Sequence, residues 1–175
     1  MNNKEIEKSL IQKILTESGA LGKGSSLDLD KLFKHPSYIF NLAQSLANKF
    51  CLEEVDAVVV IEKERSKIFA SAVAFHLSNI YARQIPVIIA ERSNIKSNKE
   101  FYFKKTHEIA LIKNKNILAV ADVVPSISVK TMLVSAIDCG ANVNFGTILV
   151  SGNIDYLSMS MPEIKKTEFL YSLVV

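Results

Sequence analysis

The sequence predicts an α/β fold, with a central, mostly parallel sheet flanked by helices, and three observations carry the prediction. Apolar runs of strand length recur from residue 56 onward: Asp56-Ala57-Val58-Val59-Val60-Ile61, Pro86-Val87-Ile88-Ile89-Ala90, Ile117-Leu118-Ala119-Val120-Ala121 and Val143 to Val150. They are apolar at successive positions rather than alternate ones, the pattern of parallel strands covered on both faces. Between them lie segments of helical spacing, which supply the right-handed crossovers that parallel strands require. A chain of 175 residues, 49% of them hydrophobic, suits one domain spanning 1–175 with a sizeable core.

Residues 4–18 carry Ile6, Leu10, Ile11, Ile14 and Leu15 at helical spacing, and Gly19 stops the pattern as a C-terminal cap. Leu21-Gly22-Lys23-Gly24-Ser25-Ser26 is loop material, and the alternation in Leu27-Asp28-Leu29-Asp30 predicts a short edge strand. Pro36 opens a second helix whose apolar face is Ile39, Phe40, Ala43, Leu46, Ala47 and Phe50. The strand at 56–61 is followed by a helix through Phe69, Ala72, Val73 and Leu77, and then by the strand at 86–90. Residues 91–99 form a polar loop, after which Phe101-Tyr102-Phe103 and Ile109-Ala110-Leu111-Ile112 read as a short hairpin insertion. The strand from Ile117 to Ala121, a helix from Ser126 to Cys139 and the strand from Val143 to Val150 resume the alternation. Phe169-Leu170-Tyr171-Ser172-Leu173-Val174-Val175 is a last strand, expected at the sheet's edge.

Composition narrows the function. Net charge is +3, from 21 basic and 18 acidic residues mixed along the chain, so no general grip on nucleic acid is expected. The apolar runs are far shorter than the roughly 20 residues that span a bilayer, and the N-terminus lacks an apolar signal core, so no membrane partner and a cytoplasmic location are expected. Cys51 and Cys139 have neither paired spacing nor a nearby histidine and read as buried free thiols. His35, His76 and His107 stand apart from one another, so no metal site is predicted. Asp56 and Asp122 sit at strand ends for ordinary reasons, and nothing fixes the distance that acid–base work by the pair would need.

The most informative segment is the run that ends on Asp122 and continues Val123-Val124-Pro125-Ser126-Ile127-Ser128-Val129 into a helix. A strand-to-helix junction of this kind lies where open α/β sheets place ligands. Phosphate cradles use glycine so that several backbone N–H groups can crowd one anion. This junction has no glycine, Pro125 removes an N–H, and Ile127 and Val129 bring branched side chains.

In its order of elements and in the run ending at Asp122, the chain resembles the type I phosphoribosyltransferases, orotate phosphoribosyltransferases most of all, over nearly its whole length. Ile14-Leu15-Thr16-Glu17-Ser18-Gly19-Ala20-Leu21 is similar to the end of that family's N-terminal helix, and Leu32-Phe33-Lys34-His35-Pro36 to the start of its second. Gly140-Ala141-Asn142-Val143 is similar to the Gly-Ala turn into the next strand. The resemblance implies transfer of ribose 5-phosphate from phosphoribosyl pyrophosphate to a base, with magnesium on the pyrophosphate and a homodimeric assembly.

Four segments depart from the family pattern. The donor motif carries an acid pair and a glycine-rich loop; here the pair is Ala121-Asp122 and the loop Pro125-Ser126-Ile127-Ser128-Val129, leaving Asp122, Ser126 and Ser128. The pyrophosphate loop is Ile61-Glu62-Lys63-Glu64-Arg65-Ser66-Lys67, without glycine, where Lys63, Arg65 and Lys67 are candidate anion contacts and Glu62 and Glu64 oppose them. At the family's Arg-Lys pair stands Glu91-Arg92, followed by a shortened loop in which Lys96 and Lys99 are the candidate catalytic lysines. The family's Ser-Gly-x-x-Ser base-binding segment is missing between Gly24 and Leu27, with Lys23 as its remnant. Two functions follow from this pattern. The favoured one is a non-catalytic scaffold, ligand-sensing or regulatory protein with a degenerate site that takes a nucleotide, phosphate or base and needs no cofactor. The alternative is an active transferase using Asp122, Lys96, Lys99, Ser126, Ser128, Lys63, Arg65 and Arg92, with magnesium.

Overall fold

The computed structural model describes residues 3–21, 27–91, 103, 106–124, 126–151 and 161–173. In chain order the elements are α1 (Asn3–Glu17), α2 (Leu29–Leu32), α3 (Pro36–Lys49), β1 (Ala57–Ile61), α4 (Glu64–Tyr81), β2 (Val87–Ala90), α5 (Thr106–Ile112), β3 (Asn116–Val124), α6 (Ile127–Asp138), β4 (Asn142–Ser151) and β5 (Lys166–Leu173). The strands form one five-stranded sheet in the order β2-β1-β3-β4-β5, and each pairing is parallel.

Strand periodicity divides the core into two layers. Val58, Val60, Leu118, Val120, Ile148 and Leu170 face one way, into a cluster with Leu15, Leu46 and Phe69 of α1, α3 and α4. Val59, Ile61, Ile117, Ala119 and Phe145 face the other, against Met132 and Leu133 of α6 and Ile112 of α5. Successive side chains on a strand point to opposite faces, so runs such as Val58-Val59-Val60 serve both layers at once. At Gly146, α3 approaches β4 so closely that a Cβ would lie 3.0 Å from Leu46 Cδ2.

Two local expectations are corrected. Leu27-Asp28-Leu29-Asp30 is no edge strand: Leu27 makes only an isolated antiparallel bridge to Leu21, and Leu29–Leu32 is helical. Asp28 decides the matter, because its carboxylate accepts from the N–H groups of Asp30 and Lys31 at 3.1 and 3.4 Å and caps α2. The hairpin is likewise replaced, since Ile109-Ala110-Leu111-Ile112 closes α5, with Ile112 buried and Leu111 exposed. Ile109 and Ile112 lie three apart, so both reach the core from one side of a helical turn. Its other arm, Phe101-Tyr102, falls outside the described residues. On the expected apolar faces, Leu10 and Phe40 prove exposed.

β3 also runs through Asp122 to Val124, farther than the sequence pattern suggests, because β4 continues beside it, with Val123 opposite Leu149 and Val124 opposite Val150. The β1–β3 ladder ends at Val60 opposite Val120. The strand order reverses between these two strands, which places the sheet's ligand crevice outside their C-terminal ends.

Candidate functional site at the β1 and β3 strand ends

Asp122 stands in the overhanging end of β3 and is 5% exposed. A carboxylate so buried needs hydrogen-bond partners or a counter-charge. Both come from the first turn of α4. The chain leaves β1 at Ile61 and turns within two residues, with the Lys63 N–H donating to Ile61 O at 2.7 Å. Lys63 is the N-cap in extended conformation, and its side chain makes no capping bond. This tight turn drops Arg65 and Ser66 beside β3.

The fully buried Ser66 donates its Oγ–H to Asp122 Oδ1 at 2.8 Å. Arg65 places Nε 3.2 Å from Asp122 Oδ2 and donates from Nη1 to Asp30 Oδ1 at 2.8 Å. Both oxygens of Asp122 therefore have partners within the protein, and one guanidinium serves two carboxylates. Hydrogen bonds that involve ionised groups are roughly twice as strong as neutral ones, so the buried half of this network is a firm link between α4 and β3.

The structure thus joins two residues that the sequence marked in separate motifs, Asp122 and Arg65. It adds Ser66 and Asp30, which were not marked. Ser66 had a sequence signal: it lies on the stripe of α4 that also holds Phe69, Ala70, Val73 and Leu77, and a hydroxyl on a buried stripe requires a partner. Asp30 had none, because its neighbour is fixed by tertiary packing alone.

Ser126 is the N-cap of α6, as its position suggests, yet its side chain makes no capping bond. Ser126 and Ser128 are half-buried, whereas Ile127 between them is 82% exposed and Val129 is buried. Among the described residues, no hydrogen bond or ion pair joins Lys63, Ser126 or Ser128 to the Asp122 network. Arg92, Lys96, Lys99 and Pro125 lie outside the described residues. Asp56 is at the far end of the sheet, where its carboxylate accepts from Asn116 N–H at 2.9 Å, so it forms no pair with Asp122.

A divalent cation does not fit the Asp122 group: it is a lone carboxylate already paired with a guanidinium, and no cluster of acids, histidines or cysteines among the described residues forms a metal site. The cysteines are free, but the expected burial is corrected: Cys51 is exposed in the turn after α3, and Cys139 at the C-cap of α6 is only half-buried. Burial, then Asp138, raises the Cys139 thiol above its ordinary value, which keeps it protonated and unreactive at neutral pH. His76 sits against the Phe40 carbonyl at 3.1 Å, a packing role. Among the described residues, no helix is long and apolar enough to cross a membrane.

The fold is that of the type I phosphoribosyltransferases. Orotate phosphoribosyltransferase from Mycobacterium tuberculosis H37Rv, solved with inorganic phosphate, superposes with a TM-score of 0.67 at 12% identity, covering 95% of this chain and 88% of that one. A phosphoribosyltransferase from Corynebacterium diphtheriae gives 0.66 at 14% identity and 95% coverage of both chains. Adenine phosphoribosyltransferase from Saccharomyces cerevisiae, complexed with an imino-altritol bisphosphate and adenine, gives 0.64 at 17%, covering 93% of this chain and 99% of that one. At these identities the likeness is one of fold. No protein-family model and no curated protein matches the sequence.

Proposed function

We propose that this protein is a non-catalytic member of the phosphoribosyltransferase fold, a scaffold that senses a nucleotide, phosphate or base at its strand-end crevice. The observation that carries the reading is the Asp122 carboxylate, whose two oxygens are taken by Ser66 and Arg65. In the family that this chain resembles, the acids at this position hold ribose hydroxyls, and the β1–α4 turn cradles pyrophosphate. Here that turn supplies side chains that bind the acid itself. The site fills part of its own crevice. The glycine-free sequences of both junctions support the same reading, since neither lets several N–H groups crowd one anion.

Ser126, Ser128, Lys63 and Arg92 remain as contacts for a small polar ligand, and Lys96 and Lys99 as the lysines aligned with the family's catalytic ones. A cytoplasmic homodimer is part of the same reading, tested by sedimentation of the purified chain. For function, the protein is incubated with phosphoribosyl pyrophosphate, magnesium and a panel of pyrimidine and purine bases, and pyrophosphate release is measured. No release above the protein-free rate is expected. Release that Asp122→Asn abolishes would overturn the proposal in favour of an active transferase.

A further inference from the structure

The outer sides of α3 and α4 join an aromatic cluster to an absence of charge. Phe40 is 46% exposed and Phe75 54%, and with His76 they form a three-ring group. The ring centroids of Phe40 and Phe75 are 6.0 Å apart, those of Phe40 and His76 5.9 Å and those of Phe75 and His76 5.4 Å, each pair edge to face. Ile68, also exposed, lies seven residues before Phe75 on the same stripe of α4. No charged residue occurs from Pro36 to Asn48 or from Ile68 to Ala82, although 22% of the chain is charged. The exposed polar positions of these stretches, Asn41, Gln44, Ser71 and Asn79 among them, are neutral. A contiguous exposed apolar group marks an interaction surface, and aromatic rings without charge are the composition of an interface core.

We propose that two copies of this chain meet through the α3–α4 face, and that the charge on His76 decides whether they do. This rests on the homodimeric reading above and adds to it the surface and its control. In a two-fold pair the same patch lies on both sides, so a charge near the axis meets its own copy. Like charges brought together in this way are strongly unfavourable. A face without charge avoids that cost, and it gives an oppositely charged partner nothing to grip. His76 can change this. Its Nε2 lies 3.1 Å from the Phe40 carbonyl, which can only accept, so the neutral ring carries its proton on Nε2 and an open lone pair on Nδ1. Protonation at Nδ1 puts a cation among the rings, and the two-fold axis duplicates it. Neither helix has an acid within these stretches to offset it. Their other titratable side chains bond elsewhere, Tyr38 to Glu17 and Tyr81 to the carbonyls of Phe50 and Glu53.

The test is sedimentation velocity of the full chain at about pH 8 and about pH 5, the two sides of the range over which imidazole changes charge. A dimer is expected at the higher pH, with its dissociation constant raised about tenfold or more at the lower. Phe75→Glu changes a half-exposed position, so the fold should survive, as thermal melts will check, while the dimer should weaken by more than about thirtyfold. Val134→Glu, the same kind of change at an exposed position of α6 on the other side of the sheet, is expected to leave association unchanged. His76→Gln keeps a donor for the Phe40 carbonyl, cannot gain charge and is expected to remove the pH dependence. A dimer that survives Phe75→Glu, or that Val134→Glu disperses equally, would overturn the surface and leave the homodimeric reading standing. A parent that is monomeric at pH 8 overturns both, and one that instead cosediments with phosphatidylcholine vesicles assigns the face to a lipid surface. Equal association of the parent at both pH values, or pH dependence that persists in His76→Gln, overturns the control by His76.

Discussion

The two ends of the sheet carry polar networks of different kinds. At the N-terminal end, side chains bond mainly to backbone: Arg83 donates to Val55 O at 2.8 Å, Lys166 to Lys49 O at 2.6 Å, and Asp56 accepts from Asn116 N–H. The Tyr81 hydroxyl lies 2.8 and 2.6 Å from the carbonyls of Phe50 and Glu53 and shares its proton between them. At the C-terminal end, Arg65, Ser66, Asp122 and Asp30 bond side chain to side chain. Backbone partners are fixed by the fold, so the first network staples turns to strands. Side-chain partners can rotate away or yield to a ligand, so the second can open where the first cannot.

Four substitutions test that contrast. Phe145→Ala sets the upper limit, because Phe145 is fully buried in β4 between the two ends; a loss of about 3–5 kcal/mol is expected in urea unfolding. Arg65→Ala leaves buried Asp122 with Ser66 alone and should cost about 2 kcal/mol at low salt. That cost should fall in 1 M NaCl, where ion pairs near the surface are screened. Tyr81→Phe should cost about 1–2 kcal/mol with no such salt dependence, since its partners are carbonyl dipoles. If both costs respond to salt alike, the two networks are not different in kind.

Tyr81 also gives the staple a pH signature. Burial, then the neighbouring Cys51, raises its ionisation above the ordinary tyrosine value of 10.0, with Arg83 working in the opposite direction. The folded state therefore holds the phenolic proton more tightly than the unfolded chain. The stability this supplies is complete below pH 10.0 and is lost as pH rises through the folded-state value. Alkaline thermal melts should show that decline in the parent and a shallower one in Tyr81→Phe. The smallest effect belongs to Asp30→Asn, expected within about 0.5 kcal/mol of the parent in stability because its ion pair with Arg65 is exposed.

The sheet was legible because its signal is local: Val58-Val59-Val60-Ile61 and Ile117 to Ala121 are β-branched or small at every position, which suits a strand buried on both sides. Where the local signal was ambiguous, tertiary context decided. Ile109 to Ile112 is too short for periodicity to separate strand from helix, and the apolar spacing that reaches the α6 side of the core is helical. Leu27 to Asp30 alternates as a strand would, but Asp28 spends its carboxylate on a helix cap. At the site, Asp122 and Arg65 were legible as chemistry, each at a strand-to-helix junction. Their bond to one another was not, because it depends on how far β3 outruns β1 and on how tightly Lys63 turns the chain into α4. Asp30 was invisible for the same reason: its partner is 35 residues away in sequence.

The overhang of β3 has a mechanical consequence. A residue at the tip of a loop can shift to suit what it binds, but Asp122 rides on a strand clamped along one side by β4 as far as Val150. It is a fixed post. Adjustment at the crevice must come from the α4 side chains that lean on it, so those backbone amides from Ala121 to Val124 that donate to β4 should keep the slow hydrogen exchange of the central sheet while ligand state changes around them.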